Sequence, residues 1–363
     1  MRIVVKIGSN LLTSGSGLNE KRIDSLCSAI SELHSGDRGV AVVSSGAVAA
    51  GMKRLGLKRR PFDIRHKQAA AAAGQSALIW AYERAFSAHE KKVAQILITR
   101  DAFYDRTRYI NAKNTILTLM DHGIIPVINE NDTVAIDEIK FGDNDQLASL
   151  VSGMLSADHL IILSDVDGLY TKDPKKYKNA RLIPSVDEIT PDLINTAGKA
   201  GSEAGTGGML SKLLAAKQAM RFGTTVHIIS GKRPGLIKSV LRGENPGTEF
   251  IPGEKRISSR KGWIAFSLRT KGSLTIDDGA KEAIISKGKS LLPSGITGIE
   301  GNFKSGDAVY CIDKEGRRIA KGLTNYSAGE VDRIKGARTS HIERILGYRY
   351  SDEIIHRDNM VLL

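Results

Sequence analysis

Six short, almost uninterrupted apolar runs constrain the fold of this chain more than any other feature of its sequence. They occupy residues 2–8, 39–45, 93–99, 123–129, 159–165 and 224–230. A strand that is covered on both faces reads as a continuous apolar run, whereas a half-exposed strand alternates apolar and polar residues. The runs therefore predict buried strands of the kind found in parallel sheets.

Longer amphipathic segments separate these runs, and they have the spacing of helices. Examples are EKRIDSLCSAISELHS at 20–35 and NAKNTILTLMDHG at 111–123. Strands that alternate with helices form βαβ units, so the pattern predicts an α/β fold with a mainly parallel sheet sandwiched by helices. Ligands of such folds bind beyond the carboxyl ends of the strands.

The composition changes near residues 246–262, where Gly, Pro and basic residues accumulate. This stretch is typical of a linker. The runs that follow it are short and rich in turn residues, which indicates a small mixed or mostly β module. We therefore predict a first domain at 1–254, and a linker, small domain and tail at 255–363.

The bulk properties indicate a cytoplasmic enzyme with an anionic partner. The 363 residues are 41% apolar and include 37 glycines, without a signal peptide or a long apolar stretch that could span a membrane. The two distant cysteines, Cys27 and Cys311, are expected to be buried thiols in a reducing compartment. The net charge of +13 suits a nucleotide, an acidic metabolite or nucleic acid and does not choose among them.

Two glycine-containing segments are candidates for phosphate binding. VVKIGSN places Lys6 inside an apolar strand, where an ammonium group needs an anion, and a glycine turn follows it. GTGGMLSK at 205–212 brings Ser211 and Lys212 into the first turn of a helix. The alternatives are a lysine that extends from the strand edge to solvent, and a surface loop with an ordinary helix cap.

Small and acidic residues follow three further strands. Ser44 and Ser45 in VVSSGAVAAGM favour substrate binding over simple packing, and no nucleophile motif surrounds them. INENDTV contains Asp132 in an acidic and amide-rich turn that suits an ammonium group. LSDVDGLYTKDP contains Ser164 and Asp165 in a turn that could wrap a nucleotide.

The stretch FGDNDQL is open to several interpretations. Asp143, Asn144 and Asp145 precede an apolar helix, so they could simply cap its N-terminus. They could also hold a metal ion, an amine or a catalytic lysine. The spacing required for a calcium-binding loop is absent.

Together these motifs resemble the amino-acid kinase family, and their order and separations match over nearly all of residues 1–252. The matching segments are VVKIGSN, VSSGAVAAG, INENDTV, FGDNDQLAS, LSDVDGLYTKDP and GTGGMLSK. The segment from about 262 to 345, which includes IAKGLTNYSAGE, resembles a PUA-type domain.

The resemblance implies ATP-dependent phosphorylation of the γ-carboxylate of L-glutamate, the first committed step toward proline. It also implies Mg²⁺ bound with ATP, inhibition by proline, and a dimer or tetramer of identical chains. The implied catalytic residues are Lys6, Lys212, Asp143 and Asp145, of which either aspartate could orient the lysines. The implied glutamate-binding residues are Ser45, Asp132 and Asn144. The implied ATP-binding residues are Lys6, Ser164, Asp165, Thr206, Gly207, Gly208, Met209, Leu210, Ser211 and Lys212.

Two alternatives remain at this stage. A kinase of the same fold could act on another acid, such as acetylglutamate, aspartate or carbamate, although recognition of a free amine by Asp132 and Asn144 favours glutamate. An RNA-binding role of the second domain is the less favoured alternative. Residues 255–363 contain 20 Lys and Arg against 13 Asp and Glu, a surplus of 7, and few aromatic residues for stacking on bases.

Overall fold

The computed structural model divides the chain into two compact units, Met1–Arg256 and Ile257–Leu363. It describes residues 1–14, 17–57, 59, 61, 63–134, 144–174, 176–199, 208–253, 259–266 and 268–363. Each unit has its own hydrophobic core and is described by itself.

The first unit alternates strands and helices as the sequence predicts. Its strands are β1 (Arg2–Ile7), β2 (Thr13–Ser14), β3 (Gly17–Leu18), β4 (Gly39–Ser44), β5 (Lys92–Ile98), β6 (Ile124–Glu130), β7 (His159–Ser164), β8 (Ser185–Val186), β9 (Thr225–Ser230) and β10 (Thr248–Phe250). Its helices are α1 (Ser9–Leu12), α2 (Glu20–Leu33), α3 (Ala47–Arg54), α4 (Ile64–Ser87), α5 (Arg106–Asp121), α6 (Asn144–Leu155), α7 (Pro191–Lys199), α8 (Met209–Arg221) and α9 (Leu236–Leu241), with a 3-10 helix at Arg100–Phe103.

Eight of these strands form one sheet in the order β5-β6-β4-β1-β7-β9-β10-β8. The strands from β5 to β9 are parallel, β10 runs antiparallel to β9, and β8 runs parallel to β10. At the centre of the sheet, Val5 of β1 pairs with Val42 of β4 on one side and Ile161 of β7 on the other. The predicted mainly parallel sheet is confirmed, and each predicted strand lies within one residue of the observed one at either end.

Helices cover the sheet because its central strands are apolar on both faces. Residues Ile3, Val5 and Ile7 of β1 have no exposed surface and pack in one core with side chains of α2 and α4. Removing apolar surface from water contributes about 25 cal/mol per Å². The helices therefore stay on the sheet through burial of its β-branched residues.

Helices α3 and α4 cross at two glycines that touch backbone to backbone. A Cβ atom on Gly74 would lie 1.9 Å from the carbonyl oxygen of Ala47, and one on Gly51 would lie 1.7 Å from that of Ala70. No side chain fits at either position. The contact therefore fixes the distance between α4 and the polypeptide that leaves β4.

The stretch expected to be a linker contains regular structure at both ends. Strand β10 lies within it and joins the sheet of the first unit. The first element described in the second unit is α10 (Ser259–Phe266), which begins inside the expected linker and extends beyond it. Between these elements, the structure describes only residues 251–253.

The second unit is a small mixed domain built on a five-stranded sheet in the order β12-β11-β13-β14-β15. Its strands are β11 (Thr270–Ile276), β12 (Ile296–Gly301), β13 (Ala308–Ile312), β14 (Arg318–Leu323) and β15 (Met360–Leu362). Its further helices are α11 (Asp278–Lys287), α12 (Ala328–Ile334) and α13 (Ile342–Leu346), with 3-10 turns at Pro293–Gly295, Thr339–His341 and Arg357–Asn359.

None of the helices in the described parts of the chain combines the length and the apolar character that crossing a membrane requires. This includes α4, the 24-residue helix, which carries charged residues at both ends.

Candidate active site

Polar residues collect at the carboxyl edge of the parallel sheet. Lys6 lies near the end of β1, Ser45 follows β4, Asn129 lies near the end of β6, and Ser164 ends β7. These strands are parallel neighbours, so their carboxyl ends meet along one edge. Helices α6 and α8 begin at the same edge and add their first turns to it.

The centre of this site is a buried carboxylate that two lysines share. Asp145 in the first turn of α6 has no exposed surface, while Lys6 and Lys212 are 3% and 7% exposed. Lys6 Nζ pairs with Asp145 Oδ1, and Lys212 Nζ lies 3.0 Å from Asp145 Oδ2. Ser211 Oγ donates to the same Oδ2 at 3.1 Å.

Among the described side chains of this cluster, two ammonium groups share one carboxylate, so positive charge is in excess in a region with little water. Burying a charge costs several kcal/mol unless it is paired and hydrogen-bonded, and Asp145 pairs with both lysines at once. The remaining positive charge favours an anion beside the two ammonium groups. The site can therefore receive phosphate oxygens.

A second group of side chains surrounds Asn144, the residue before Asp145. Asn144 Nδ2 lies 2.7 Å from the carbonyl oxygen of Ser44, 3.0 Å from Ser45 Oγ and 2.9 Å from Asn129 Oδ1. The structure thus brings Ser45 and Asn144, both candidates from the sequence, into direct contact. The oxygen of the same amide group, Asn144 Oδ1, can act only as an acceptor.

Asn129 and Gln75 continue this hydrogen-bonded chain toward α4. Asn129 Oδ1 also accepts from the backbone N–H of Glu130 at 2.9 Å, and Asn129 Nδ2 donates to Gln75 Oε1 at 3.0 Å. Asn129 is 3% exposed, so its amide needs these partners. The chain connects the first turn of α6 with the middle of α4.

A cavity of about 510 Å³ opens beside this chain, between α4 and the ends of β5 and β6. Asp132, Gln75 and Asn131 contribute polar groups to its wall, and Ile79 and Trp80 contribute apolar surface. A concave site with a few convergent polar groups is typical of small-molecule binding. Asp132, the third glutamate-binding candidate, therefore lies in the same cavity wall as Gln75.

The strand ends on the other side of Lys6 form the candidate nucleotide edge. Gly231, just after β9, donates its N–H to the carbonyl oxygen of Ser164 at 2.8 Å. Asp167 in the turn after β7 pairs with Arg233 in the turn after β9, at 2.7 Å. The two turns are thus tied together beside Ser164 and Asp165.

Helix α8 reaches this edge with an N-terminus that no side chain caps. Gly208 is its N-cap residue, with an extended conformation and no side-chain hydrogen bond. The N–H groups of Met209 and Leu210 belong to its first turn, which suits an anion. Lys212, one residue further along this turn than Ser211, links the helix to Asp145.

A buried tyrosine supports the turn after β4. Tyr82 of α4 has no exposed surface, and its hydroxyl lies 2.8 Å from Ser44 Oγ. Burial raises the pKa of Tyr82, so the phenol stays neutral. This contact holds the backbone that presents Ser45.

Some of the predicted residues lie outside the described part of the chain. These are Asp143, Thr206 and Gly207. Two residues of the site, Asn129 and Gln75, were not among the predicted site residues. Asn129 stood in a recognised acidic and amide-rich turn, whereas Gln75 lies in an alanine-rich helix without any motif.

The two cysteines take no part in this site. Cys27 and Cys311 are both buried and unpaired with each other. Burial raises the pKa of Cys311 to about 12 and also raises that of Cys27, so both thiols are unreactive at neutral pH.

Comparison with protein families gives two matches. The model of the "Amino acid kinase family" matches residues 1–230, and that of the "PUA domain" matches residues 272–346. The two matches fall in the first and the second unit, respectively.

Among curated proteins, the chain is similar to glutamate 5-kinases over its whole length. It is 50% identical to that of Geobacter sulfurreducens over 363 residues, covering 100% of this chain and 97% of the relative. It is also 50% identical to that of Myxococcus xanthus over 363 residues, covering 100% and 96%. A Thermoanaerobacter relative is 49% identical over 364 residues, covering 100% and 98%.

Proposed function

The chain belongs to the glutamate 5-kinase family, a branch of the amino acid kinases, and we propose a reaction for its site on this premise. An oxygen of the γ-carboxylate of L-glutamate attacks the γ-phosphorus of ATP, the bond to the ADP oxygen breaks, and γ-glutamyl phosphate and ADP form. The observation that carries this proposal is the pair of buried lysines on Asp145, which lies next to the Asn144 amide group.

The two lysines supply the positive charge that phosphoryl transfer needs. Negative charge is spread over the phosphoryl oxygens in the transition state, so the protein mainly positions the reactants and neutralises that charge. Lys6 and Lys212 approach Asp145 from two elements, β1 and α8, and the phosphoryl group would lie between them and the α8 N-terminus. Asp145 pairs with both ammonium groups and aligns them.

The carboxylate acceptor needs no general base. A glutamate side chain has an ordinary pKa of about 4.3 and is ionised at neutral pH, so it is already a nucleophile. The site accordingly presents cations and amides around the reacting groups. Ser45 and Asn144 would hold the substrate beside the lysines.

Asp132 and Asn144 would recognise the free amino group. A carboxylate and an amide oxygen both accept hydrogen bonds from an ammonium group. A blocked amine, as in acetylglutamate, cannot supply the donors of an ammonium group to these acceptors, which costs affinity. This supports L-glutamate as the substrate over the alternative acids.

Mg²⁺ would enter the site with ATP. In the described residues, no three His, Cys, Asp or Glu side chains are grouped closely enough to hold a metal ion. Mg²⁺ commonly keeps several waters and binds through the phosphates of its nucleotide, which fits a site with so few acidic ligands. The ion would neutralise charge on the phosphates when bound.

The reaction is the first step of proline biosynthesis, and inhibition by proline is part of the proposal. Proline is the end product of the pathway that begins with this reaction. Like glutamate, it carries an α-carboxylate and an amino group. The use of ATP supports a cytoplasmic location. Assembly into a dimer or tetramer also remains a proposal.

The test is glutamate-dependent release of ADP, with the acyl phosphate trapped by hydroxylamine. Lys212→Ala should abolish turnover mainly through kcat, because its interaction with the phosphoryl group is strongest in the transition state. Asp132→Ala should mainly raise the KM for glutamate. Absence of glutamate-dependent turnover in the wild-type protein would overturn the proposal, and a normal kcat in Lys212→Ala would exclude the role of that lysine.

A further inference from the structure

The hydrogen-bonded chain from Asn144 to α4 ends in a group for which the reaction above has no use. We propose that Gln75 is a specificity-determining residue, whose Nε2 amide group donates to the α-carboxylate of the amino acid substrate. This inference rests on the proposed function and extends it from the amino group to the other charged group of the substrate.

The orientation of the Gln75 amide follows from a backbone donor. The N–H of Glu130 can only donate, so the Asn129 atom that lies 2.9 Å from it must be the oxygen, Oδ1. The other amide atom of Asn129 is therefore Nδ2, and it can only donate. Its partner at 3.0 Å must then be the oxygen of Gln75, Oε1.

The Nε2 group of Gln75, with its two N–H donors, therefore takes no part in this series of hydrogen bonds. Among the residues that the structure describes, no hydrogen bond from Nε2 is found. Gln75 contributes to the wall of the cavity of about 510 Å³, so a ligand in that cavity can reach it. An amide group with both hydrogens unused is a good donor to a carboxylate.

The position of Gln75 indicates that it contacts the α-carboxylate of the substrate and not the reacting γ-carboxylate. Gln75 and Asp132 line the same cavity, and Lys6, Lys212 and Asp145 are not part of its wall. The γ-carboxylate must lie beside the lysines. The opposite end of the glutamate, with its ammonium group and α-carboxylate, therefore lies in the cavity.

The three polar groups then match the charges at that end of the substrate. Asp132 and Asn144 Oδ1 are acceptors and suit the ammonium group, whereas Gln75 Nε2 is a donor and suits the carboxylate. An acceptor at position 75 would be wrong for this ligand. The arrangement recognises an amino acid with both α-groups free.

Backbone contact holds Gln75 in place. It follows Gly74, which packs against the backbone of α3 with no room for a Cβ atom. Its Oε1 is fixed by Asn129. The donor is therefore pre-positioned before the substrate binds, which lowers the entropic cost of binding.

The sharpest test is Gln75→Glu, because a carboxylate at this position still accepts from Asn129 Nδ2, while the free donor is lost and a negative charge is added. The KM for glutamate should rise at least about tenfold, as expected for losing a hydrogen bond to a charged group. The kcat and the KM for ATP should stay within about threefold, because the phosphoryl site is untouched. Gln75→Met, which removes the acceptor as well, is the second variant.

The matched control is Asn114→Asp, which makes the same amide-to-carboxylate change at an exposed position of α5 that does not line the cavity. It should leave the KM for glutamate within about threefold. A substrate probe completes the test: 4-aminobutyrate is glutamate without its α-carboxylate. The ratio of kcat/KM for glutamate to that for 4-aminobutyrate should fall at least about tenfold in Gln75→Glu and stay unchanged in Asn114→Asp.

The outcomes separate this inference from the proposed function. If the wild-type protein does not turn over glutamate, the proposed function fails. If it does, and Gln75→Glu retains both the KM and the substrate ratio of the wild type, then the role of Gln75 is wrong. A rise in KM that is equal for both substrates also overturns it, because the effect would then not involve the α-carboxylate. If Gln75→Glu is misfolded by circular dichroism, Gln75→Met is judged by the same substrate ratio.

Discussion

At the scale of single residues, the most consequential feature is the sharing of Asp145 by two lysines. One carboxylate holds both ammonium groups, and all three side chains are almost completely buried. A second acid would cancel the charge of the site and weaken its attraction for phosphate. Asp145 therefore aligns both cations with one negative charge.

Asp145→Asn should show this directly. The amide removes the negative charge with which both buried ammonium groups pair. We expect kcat to fall at least about a hundredfold and the free energy of unfolding to fall by about 3 kcal/mol. ADP release and urea unfolding measure the two effects.

Asp24→Asn is the matched control for this substitution. Asp24 also pairs with a basic residue, Arg84, but both side chains are largely exposed on the surface. Exposed pairs contribute little, so this variant should retain wild-type kcat and stability. A wild-type kcat in Asp145→Asn would show that alignment of the lysines is not needed for transfer.

The sequence identified most of these residues, and it failed where a contact is distant along the chain. Lys6 stands inside an apolar strand that a glycine turn follows, Ser45 directly follows an apolar strand, and Asn144 stands in an acidic cluster before an apolar helix. Asp143 and Asp145 have the same chemistry two positions apart, so the sequence alone does not separate their roles. Gln75 and its partner Asn129 are 54 residues apart, and no local pattern signals their contact.

At the scale of secondary structure, the parallel strands were predictable because burial on both faces leaves a strong apolar signal. Strand β10 was not, since Thr248–Phe250 is only three residues long and lies among Gly, Pro and basic residues. Its position in the sheet depends on pairing with β9 and β8, which are distant in sequence. Whether such a short strand forms depends on tertiary contacts, which the local sequence does not encode.

Two neighbouring strands carry a contact between a buried histidine, His227, and a half-buried one, His159, that links stability to pH. His159 of β7 and His227 of β9 lie 3.1 Å apart between Nδ1 and Nε2. Burial, and secondarily His159, lower the pKa of His227 to about 3. Burial also lowers the pKa of His159, against the opposing effect of Asp158 and Glu249.

The expected consequence is a loss of stability in mild acid. The folded state keeps His227 neutral, whereas the unfolded chain binds a proton below its ordinary pKa of about 6.5. The stabilisation is therefore complete above pH 6.5 and declines as the pH falls toward 3. At pH 5 the loss from His227 is about 2 kcal/mol.

Urea unfolding of His227→Gln at pH 7.5 and pH 5 checks this. The difference in unfolding free energy between the two pH values should be smaller in the variant than in the wild type by about 2 kcal/mol. His89→Gln, which replaces an exposed histidine, should keep the wild-type difference. An unchanged difference in His227→Gln would mean that this residue is not the source of the acid sensitivity.

At the scale of the whole molecule, the first unit contains every described residue of the candidate site. The second unit has its own core, which includes Leu274, Val309 and Tyr326. Units with separate cores can fold separately. The net positive charge of the chain indicated only that it binds an anionic partner. The proposal that this partner is ATP rests on the arrangement of the site and on the family to which the chain belongs.

A fragment of residues 1–253 should therefore fold and retain glutamate-dependent ADP release. A fragment of residues 259–363 should unfold in a cooperative transition of its own, because it includes α10, which packs on β14 and β15. Calorimetry and the ADP assay on both fragments test this. A folded 1–253 fragment without activity would show that the second unit is required for catalysis.

The contact between Gly51 and Gly74 also sets a limit on how this enzyme can acquire new substrates. Directed evolution toward a longer or shorter amino acid cannot proceed by shifting α4, because neither glycine can be enlarged without separating the two helices. Selection would instead recover changes in the side chains that α4 presents to the cavity, such as Gln75, Ser76 and Ile79. The crossing thus confines adaptive variation to the contents of the pocket and keeps its dimensions constant.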